Sequence, residues 1–591
     1  MGKNLNFGCV VFIGYCTFIL NGSSGPFHLS LPTHMNFVRK SFLWFVLSLF
    51  SASLLLIAYY HLFVKFSPPP ITNQKALSWK RIQQGANNYQ LGPNWLRKNK
   101  YGIWEMYVEG KPFERGVANG KLAKELIQKQ EEYFVASIKK LIPNEAYLRF
   151  LKYFTVFFNR NMPDHVRQDY QEEIYGISLS FSPNFNFIGS AYERILNYHA
   201  AHDIGHALQE MGLVVGCTSF SVWDKRSKDG SLLIGRNFDF YTGDEFAKEK
   251  IIQFTKPDTG FGFMTVTWGG FIGAASGMNE KGLTVTINAA KSDFPTSAAT
   301  PISLLSREIL QFASTIEEAF TLAKKRKTFV AESIMIGSAS DRKTAIIEKS
   351  PELTTLVYPA DESIVCSNHF QSNAFNQNPK LTQEAKATSS EYRFNRVKQL
   401  INQQGKLDVK DAAFVLRNQL GINNEPLGYG NEKAINQLLC HHSILFKPEQ
   451  QLVWISTQPF QLGEYVCYDL KKIFSSTSHS AYVDAHVDSL TLAADTFLFS
   501  TDYKKWLTFH HLKQEVQAFL KGKGNFNDTQ AQLLIASNPK LYQAYWLAGD
   551  YYSKTNQSEK ASIMYQKALH LPIPRWSEKE NIRESLTKLN Q

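Results

Sequence analysis

Cys217, Arg236 and Asp239 are the residues whose types and spacing point to covalent chemistry. Cys217 follows the run Leu213, Val214, Val215 and Gly216 and opens the segment Cys217-Thr218-Ser219-Phe220, and Arg236-Asn237-Phe238-Asp239-Phe240 begins nineteen residues later. Ser219 to Trp223 reads as a strand, Lys225 to Gly230 as a polar turn and Ser231 to Phe240 as a returning strand. A turn centred near residues 227 and 228 sets Cys217 opposite roughly position 238, so that Arg236 and Asp239 flank the thiol. A guanidinium beside a thiol favours the thiolate, and a carboxylate holds a protonated amine. Such an amine arises when the Gly216–Cys217 bond is cut and Cys217 becomes a chain terminus. Glycine at 216 tolerates the unusual backbone that attack on its own carbonyl requires. A free α-amine, with a pKa of about 7.7–8.0, takes a proton from the thiol and returns one to a leaving group. One residue then serves as nucleophile and base. The competing reading is a buried structural thiol beside a surface ion pair.

Further along come Trp268-Gly269-Gly270-Phe271-Ile272-Gly273, then Gly277-Met278-Asn279-Glu280-Lys281-Gly282-Leu283, then the alternating strand Thr284-Val285-Thr286-Ile287-Asn288. With the Gly-Cys-Thr-Ser segment, these motifs resemble the N-terminal nucleophile (Ntn) hydrolases of the choloylglycine hydrolase, acid ceramidase and penicillin acyltransferase type. Within that group they resemble the autoproteolytic branch that includes acyl-CoA:isopenicillin N acyltransferase, over roughly residues 205 to 470. The resemblance implies an α/β (α+β) protein with a four-layer αββα sandwich, self-cleavage between Gly216 and Cys217, and Cys217 as nucleophile with Arg236 and Asp239 as its partners. It also implies roles for Asn288 and Asn368 as amides near the oxyanion and for Arg393 as a late arginine of the site. Fixed amide donors stabilise a tetrahedral oxyanion by about 3–4 kcal/mol in a water-poor site. No cofactor and no metal is implied. Hydrolysis of a linear, non-peptide N-acyl amide and acyl transfer to an amine share the thioester step, and both remain open. Asn279 reads as a turn residue and His369 as a packing residue. Cys440-His441-His442-Ser443 leads into a strand ending at Trp454 and carries no assigned chemistry.

Around this core the 591-residue chain is long enough for appendages. Residues 42–64 form an uncharged apolar run of spanning length, preceded by Arg39 and Lys40. This predicts a single-pass anchor with the catalytic part outside the cytoplasm. Residues 1–41 read as a leader, with Met35 as the natural start and the preceding stretch as a start-site artefact. Residues 71–216 read as a helical pro-segment, with helices over 117–141 and 192–211; the second carries His199, His202 and His206 at helical spacing, a packing stripe or a metal face. Cleavage would leave this pro-segment and the catalytic fragment as a non-covalent pair.

Residues 217–475 alternate strand runs with helices such as Ser303 to Ala313 and Ile316 to Arg326, and form the expected catalytic domain. Residues 476–591 read as a helical tail with one tetratricopeptide-like repeat marked by Tyr545, Ala548, Gly549, Tyr552, Ala561 and Tyr565, a site for a protein partner. A net charge of +12 favours anionic surfaces, but the basic residues are dispersed and no nucleic-acid motif is present. Six cysteines include Cys9 and Cys16 in the leader; the other four lack metal-ligand spacing, and a nucleophile among them excludes a dense disulfide framework. The non-enzymatic alternative is a membrane-tethered scaffold whose site is a relic.

Overall fold

The computed structural model describes residues 33–59, 66–200, 214–241, 243, 245–290, 298–377, 387–475 and 484–589. The chain divides into two compact units, Met1–Phe63 and Val64–Gln591. In the first, helix Thr33–Tyr59 contains the stretch Lys40–Tyr59, 20 residues of mean hydropathy 2.2, long and apolar enough to cross a membrane. Residues 1–32, and 60–65 at the end of the expected anchor, lie outside the described residues.

The second unit is a mixed α/β structure built on two sheets. The larger has eleven strands and runs from Ile82–Gly85 at one edge to Thr354–Val357 at the other. The smaller has six, in the order Ser363–Cys366, Thr218–Val222, Leu233–Phe238, His442–Lys447, Leu452–Ser456 and Tyr465–Asp469. Period-two alternation explains how one strand serves two surfaces. Along Leu283–Ala289, Leu283, Val285 and Ile287 share a core with Leu305 and Ile309 of helix Ile302–Phe312. The intervening Thr286 and Asn288 instead meet Ser219 of the six-stranded sheet. Ser221 Oγ and Thr344 Oγ1 continue this hydroxyl seam at 2.8 Å. Beside it the sheets share an apolar core that includes Ile234, Ile444, Phe254, Met264 and Ile346. On the smaller sheet, Phe220, Val222 and Leu445 pack with Val397 and Leu400 of helix Ser390–Gln404 and with Ala412 and Val415 of helix Val409–Leu416.

The N-terminal segment departs from the helical expectation. Residues 82–110 form four strands of the larger sheet, and the last, Trp104–Gly110, pairs in parallel with Ile251–Pro257 in unbroken register from Trp104↔Ile251 to Gly110↔Pro257. Short polar runs such as Asn88–Leu91 carry no helical period, and their turns are set locally by Asn87 at φ 58° and Gly92 at φ 60°. Apart from a single 3-10 turn at Lys75–Ser78, helices of this segment begin at Pro112. The helix expected over 117–141 is broken at Ala123 into Pro112–Leu122 and Lys124–Leu141. The expected second helix starts at Ala191 and is described to His199; His202 and His206 lie outside the described residues.

This segment is tied to helix Ile302–Phe312 by a buried ion triad. Glu173 Oε2 lies 2.8 Å from Arg115 Nη2 and 2.7 Å from Arg307 Nη2, and all three side chains are fully buried. Burial pushes the Glu173 carboxyl up, but Arg307 and Arg115 outweigh it and hold the group below its ordinary value.

The tail comprises helices Thr501–Leu520, Asp528–Ser537, Tyr542–Lys554, Ser558–Leu569 and Trp576–Leu589 around a common core. The predicted repeat falls on the third and fourth helices, where Gly549 leaves room for the Tyr565 ring: a β-carbon there would stand 2.6 Å from Cε1. A further helical pair precedes it. The tail grips the catalytic part at residues 429–432. Tyr429 and Asn538 exchange two hydrogen bonds of 3.1 and 2.8 Å, and Arg575 Nε reaches Glu432 Oε2 at 2.8 Å.

Removing the carboxylate from the triad takes from the buried Arg307 its ion-pair partner and leaves Arg115 with only the part-exposed Asp258, 3.2 Å away. Glu173→Ala is expected to cost about 3–5 kcal/mol, read as a lower denaturant midpoint with an unchanged slope.

Candidate active site

The hairpin places Cys217, the candidate nucleophile. Thr218–Val222 and Leu233–Phe238 pair with Thr218↔Asn237 and Ser219↔Arg236. The same register continues past the ladder, since Gly216 N–H donates to Asp239 O at 3.0 Å and Val215 pairs with Phe240. Cys217 therefore stands across from Phe238, where the sequence reading put it.

Cys217 and Arg236 are completely buried, and Arg236 Nη2 lies 3.7 Å from Cys217 Sγ. The guanidinium is immobilised by Ala275 O at 3.0 Å, by Ser276 Oγ and by Ile287 O, and it stacks over the Phe238 ring at 4.3 Å. Proximity does not make a thiolate here. Burial pushes the Cys217 thiol up to about 11 despite Arg236, and the Asp239 charge adds to the rise. Against the sequence expectation that Arg236 favours the thiolate, desolvation outweighs that one neighbouring cation and favours the protonated form of the Cys217 thiol. Burial likewise raises the Asp239 carboxyl to about 7, against the downward pull of Arg393, the Cys440 thiol and Arg236.

Arg393 and Asn368 meet as a pair. Arg393 Nη2 donates to Asn368 Oδ1 at 2.7 Å, and its Nε donates to Thr218 Oγ1, next to the nucleophile, at 3.2 Å. Asn368 Nδ2 donates to Ala289 O at 3.0 Å. Asn288 serves a different geometry: its Oδ1 accepts from Ser219 Oγ at 2.8 Å and its Nδ2 donates to Cys366 O at 3.2 Å, so its amide ties three strands together.

Neighbouring histidines are committed to packing. His199 Nδ1 meets Ile195 O at 2.8 Å and its Nε2 accepts from Ile272 N–H at 2.9 Å. Burial lowers its pKa to about 4, so a neutral ring with both nitrogens engaged has nothing left for a metal. His369 meets Ser390 Oγ at 2.7 Å and packs edge-on against Phe394.

Several members of the site escaped the sequence reading. Ser276 joins Arg236 to His442 Nε2, 2.8 Å away, and His442 Nδ1 faces His441 Nδ1 at 2.9 Å. The adjacent histidines ahead of a strand were visible as a motif, but their link to Arg236 arises across 166 residues between Ser276 and His442. Gln437 also reaches the site, from a loop without any periodic signal.

An aromatic cleft, partly open to solvent, adjoins these residues, with His441 packed against Phe246 and Trp268 of its lining. Phe240, Phe246 and Trp268 line it from the catalytic part, and Phe134 and Phe181 line it from the N-terminal segment. Phe240 and Phe246 of the cleft wall belong to the same packed cluster as Cys217.

The profile of the acyl-coenzyme A:6-aminopenicillanic acid acyl-transferase family matches residues 225–458, a span that begins after Cys217 and contains Arg236, Asp239, Asn288, Asn368 and Arg393. A protein of Archaeoglobus fulgidus is 24% identical over 273 residues, covering 44% of this chain and 45% of that protein. Protein dcd1B of Dictyostelium discoideum is 24% identical over 302 residues, covering 48% and 56%. The chain thus spans about half the length of the curated relatives it matches. Among solved structures, the N-acylethanolamine-hydrolyzing acid amidase ortholog of Caenorhabditis elegans is 17% identical with a TM-score of 0.28, covering 39% of this chain and 93% of that chain. A mutant of the conjugated bile acid hydrolase of Clostridium perfringens is 16% identical with a TM-score of 0.30, covering 43% and 93%. By the profile match the chain is related, over residues 225–458, to the acyl-coenzyme A:6-aminopenicillanic acid acyl-transferase family of N-terminal nucleophile hydrolases.

Proposed function

We propose that this chain is a self-processing cysteine Ntn amidohydrolase with a four-layer αββα core, cutting itself between Gly216 and Cys217 and then cleaving a linear, non-peptide N-acyl amide through a thioester. The observation that carries the reading is the Arg236 guanidinium 3.7 Å from the buried Cys217 sulfur, at a peptide bond whose Gly216 N–H is bonded to the Asp239 carbonyl.

In self-cleavage the Asp239 carboxylate takes the thiol proton and Cys217 Sγ attacks the Gly216 carbonyl carbon. The C–N bond breaks, and water hydrolyses the resulting thioester. The new α-amine of Cys217 then becomes the base for external substrates, with Asp239 as its counter-charge. Asn368, oriented by Arg393, is placed in this reading to donate to the substrate oxyanion. Asn288 is assigned a positioning role, because its amide bridges Ser219 and Cys366. The aromatic cleft suits an apolar acyl group. Acyl transfer to an amine is the second reading, favoured by the description of the matching family.

The apolar helix Lys40–Tyr59 supports a single-pass anchor, and we place the catalytic unit on its extracytoplasmic side. After cleavage the pro-segment and catalytic fragment would stay paired through the parallel strands Trp104–Gly110 and Ile251–Pro257 and the Glu173 triad. The tail helices are proposed as a site for a protein partner.

Denaturing gels are expected to show two pieces for the wild type and one for Cys217→Ala; an uncleaved yet fully active wild type overturns the reading. Because Asp239 is neutral below about 7 and a carboxylate above it, self-cleavage of freshly refolded precursor is expected to speed up as pH rises through that value. Below it the rate should fall about tenfold per pH unit, and Asp239→Asn should abolish the dependence. Trp268→Ala is expected to lower kcat/KM by about 10- to 100-fold for amides with large apolar acyl groups, and to matter little for acetyl amides, as measured by amine release.

A further inference from the structure

The carbonyl that self-cleavage must attack is held by a side chain from a distant loop. Gln437 Nε2 donates to Gly216 O at 2.8 Å and to Asp239 Oδ2 at 3.3 Å. Gln437 is almost fully buried, and among the described residues its Oε1 has no hydrogen-bond partner. A buried amide with one end on the scissile carbonyl and the other unsatisfied is costly unless the site uses it.

Two further observations show that the contact is built in. A β-carbon on Gly216 would stand 2.4 Å from Gln437 Nε2, so glycine at 216 makes room for this amide. Gly216 itself is not in the left-handed region, so in the intact chain it is the room for Gln437 that glycine supplies here. Next to Gln437, Leu438 adopts φ +53°, an unusual conformation for a branched side chain. That turn is held on two sides: Leu438 N–H donates to Asn436 Oδ1 at 3.1 Å, and the Leu438 side chain packs with Leu462 and with Trp506 of the tail.

We infer that Gln437 is a catalytic residue of self-cleavage, its amide nitrogen stabilising the oxyanion that forms on Gly216; this rests on the proposed cut between Gly216 and Cys217. As Sγ bonds to the carbonyl carbon and the thiol proton passes to Asp239, the π electron pair moves onto Gly216 O, where Gln437 Nε2 already donates. The pair returns as the C–N bond breaks, and the Cys217 nitrogen takes the proton back from Asp239. Water then cleaves the thioester, leaving a Gly216 carboxylate, a free thiol and an α-amine. Once that amine is protonated, the unused Gln437 Oε1 is an acceptor at the cut end.

The test follows full-length precursor, refolded from denaturant, by denaturing gel and intact mass. Wild type, Cys217→Ala, Gln437→Leu and Gln437→Glu are compared, with melting temperature as the folding control. Gln437→Leu is expected to slow cleavage about 10²–10³-fold while melting like the Cys217→Ala precursor. Gln437→Glu keeps the shape but donates only when protonated, so its cleavage should weaken as pH rises, opposite in sign to the wild type. Wild-type cleavage rates in folded Gln437→Leu, or a Glu variant whose rate rises with pH as the wild type does, would overturn the role of Gln437 and leave self-cleavage standing. A wild type that never cleaves, or a Cys217→Ala that does, sinks the underlying reading instead.

Discussion

Everything at this site depends on one constraint: a thiol and a guanidinium are both held out of water by an unbroken antiparallel register. The pairing that runs from Val222↔Leu233 to Val215↔Phe240 leaves the Cys217 and Arg236 side chains no freedom to separate or to reach solvent. Burial and charge then compete, and burial prevails for the sulfur. The outcome is a buried thiol that favours its proton and becomes reactive only with a base to take it.

The two-sheet architecture explains why the seam can be polar. Ser219, Ser221, Thr286, Asn288 and Thr344 satisfy one another between the sheets, so the strand that follows Cys217 is located by hydrogen bonds on one face and by the apolar packing of Phe220 and Val222 on the other. Strands 82–110 are integral to the larger sheet, and the Glu173 triad crosses from the N-terminal segment to helix Ile302–Phe312. A segment embedded in this way is a structural part of the unit that holds the candidate site. The tail has a comparable attachment at residues 429–432, on the loop that leads to Gln437, and Glu432 O also accepts from Arg393 Nη1 at 2.9 Å. The helices farthest along the chain therefore buttress two groups of the site.

Local pattern made much of this legible. The Thr218–Phe238 hairpin was readable because Asp229-Gly230 closes a polar turn between two apolar runs, and Gly230 does take φ +73°. Helices 302–312 and 316–325, and strands such as Glu332–Ser338 and Leu452–Ser456, announced themselves by their periods. Strands 82–98 did not, because short polar strands at a sheet edge carry no hydrophobic alternation and borrow their stability from the neighbouring strand.

The sequence by itself determined the offset that sets Arg236 beside Cys217 and the glycine before it, because hairpin register is a local property of turn length and alternation. Only the tertiary structure decided the protonation of the thiol, the structural use of Asn288 and the arrival of Gln437 at a carbonyl 221 positions away. Desolvation depends on everything packed around a group, and a loop residue reaches its partner only after distant elements have been placed; neither leaves a periodic trace in the chain.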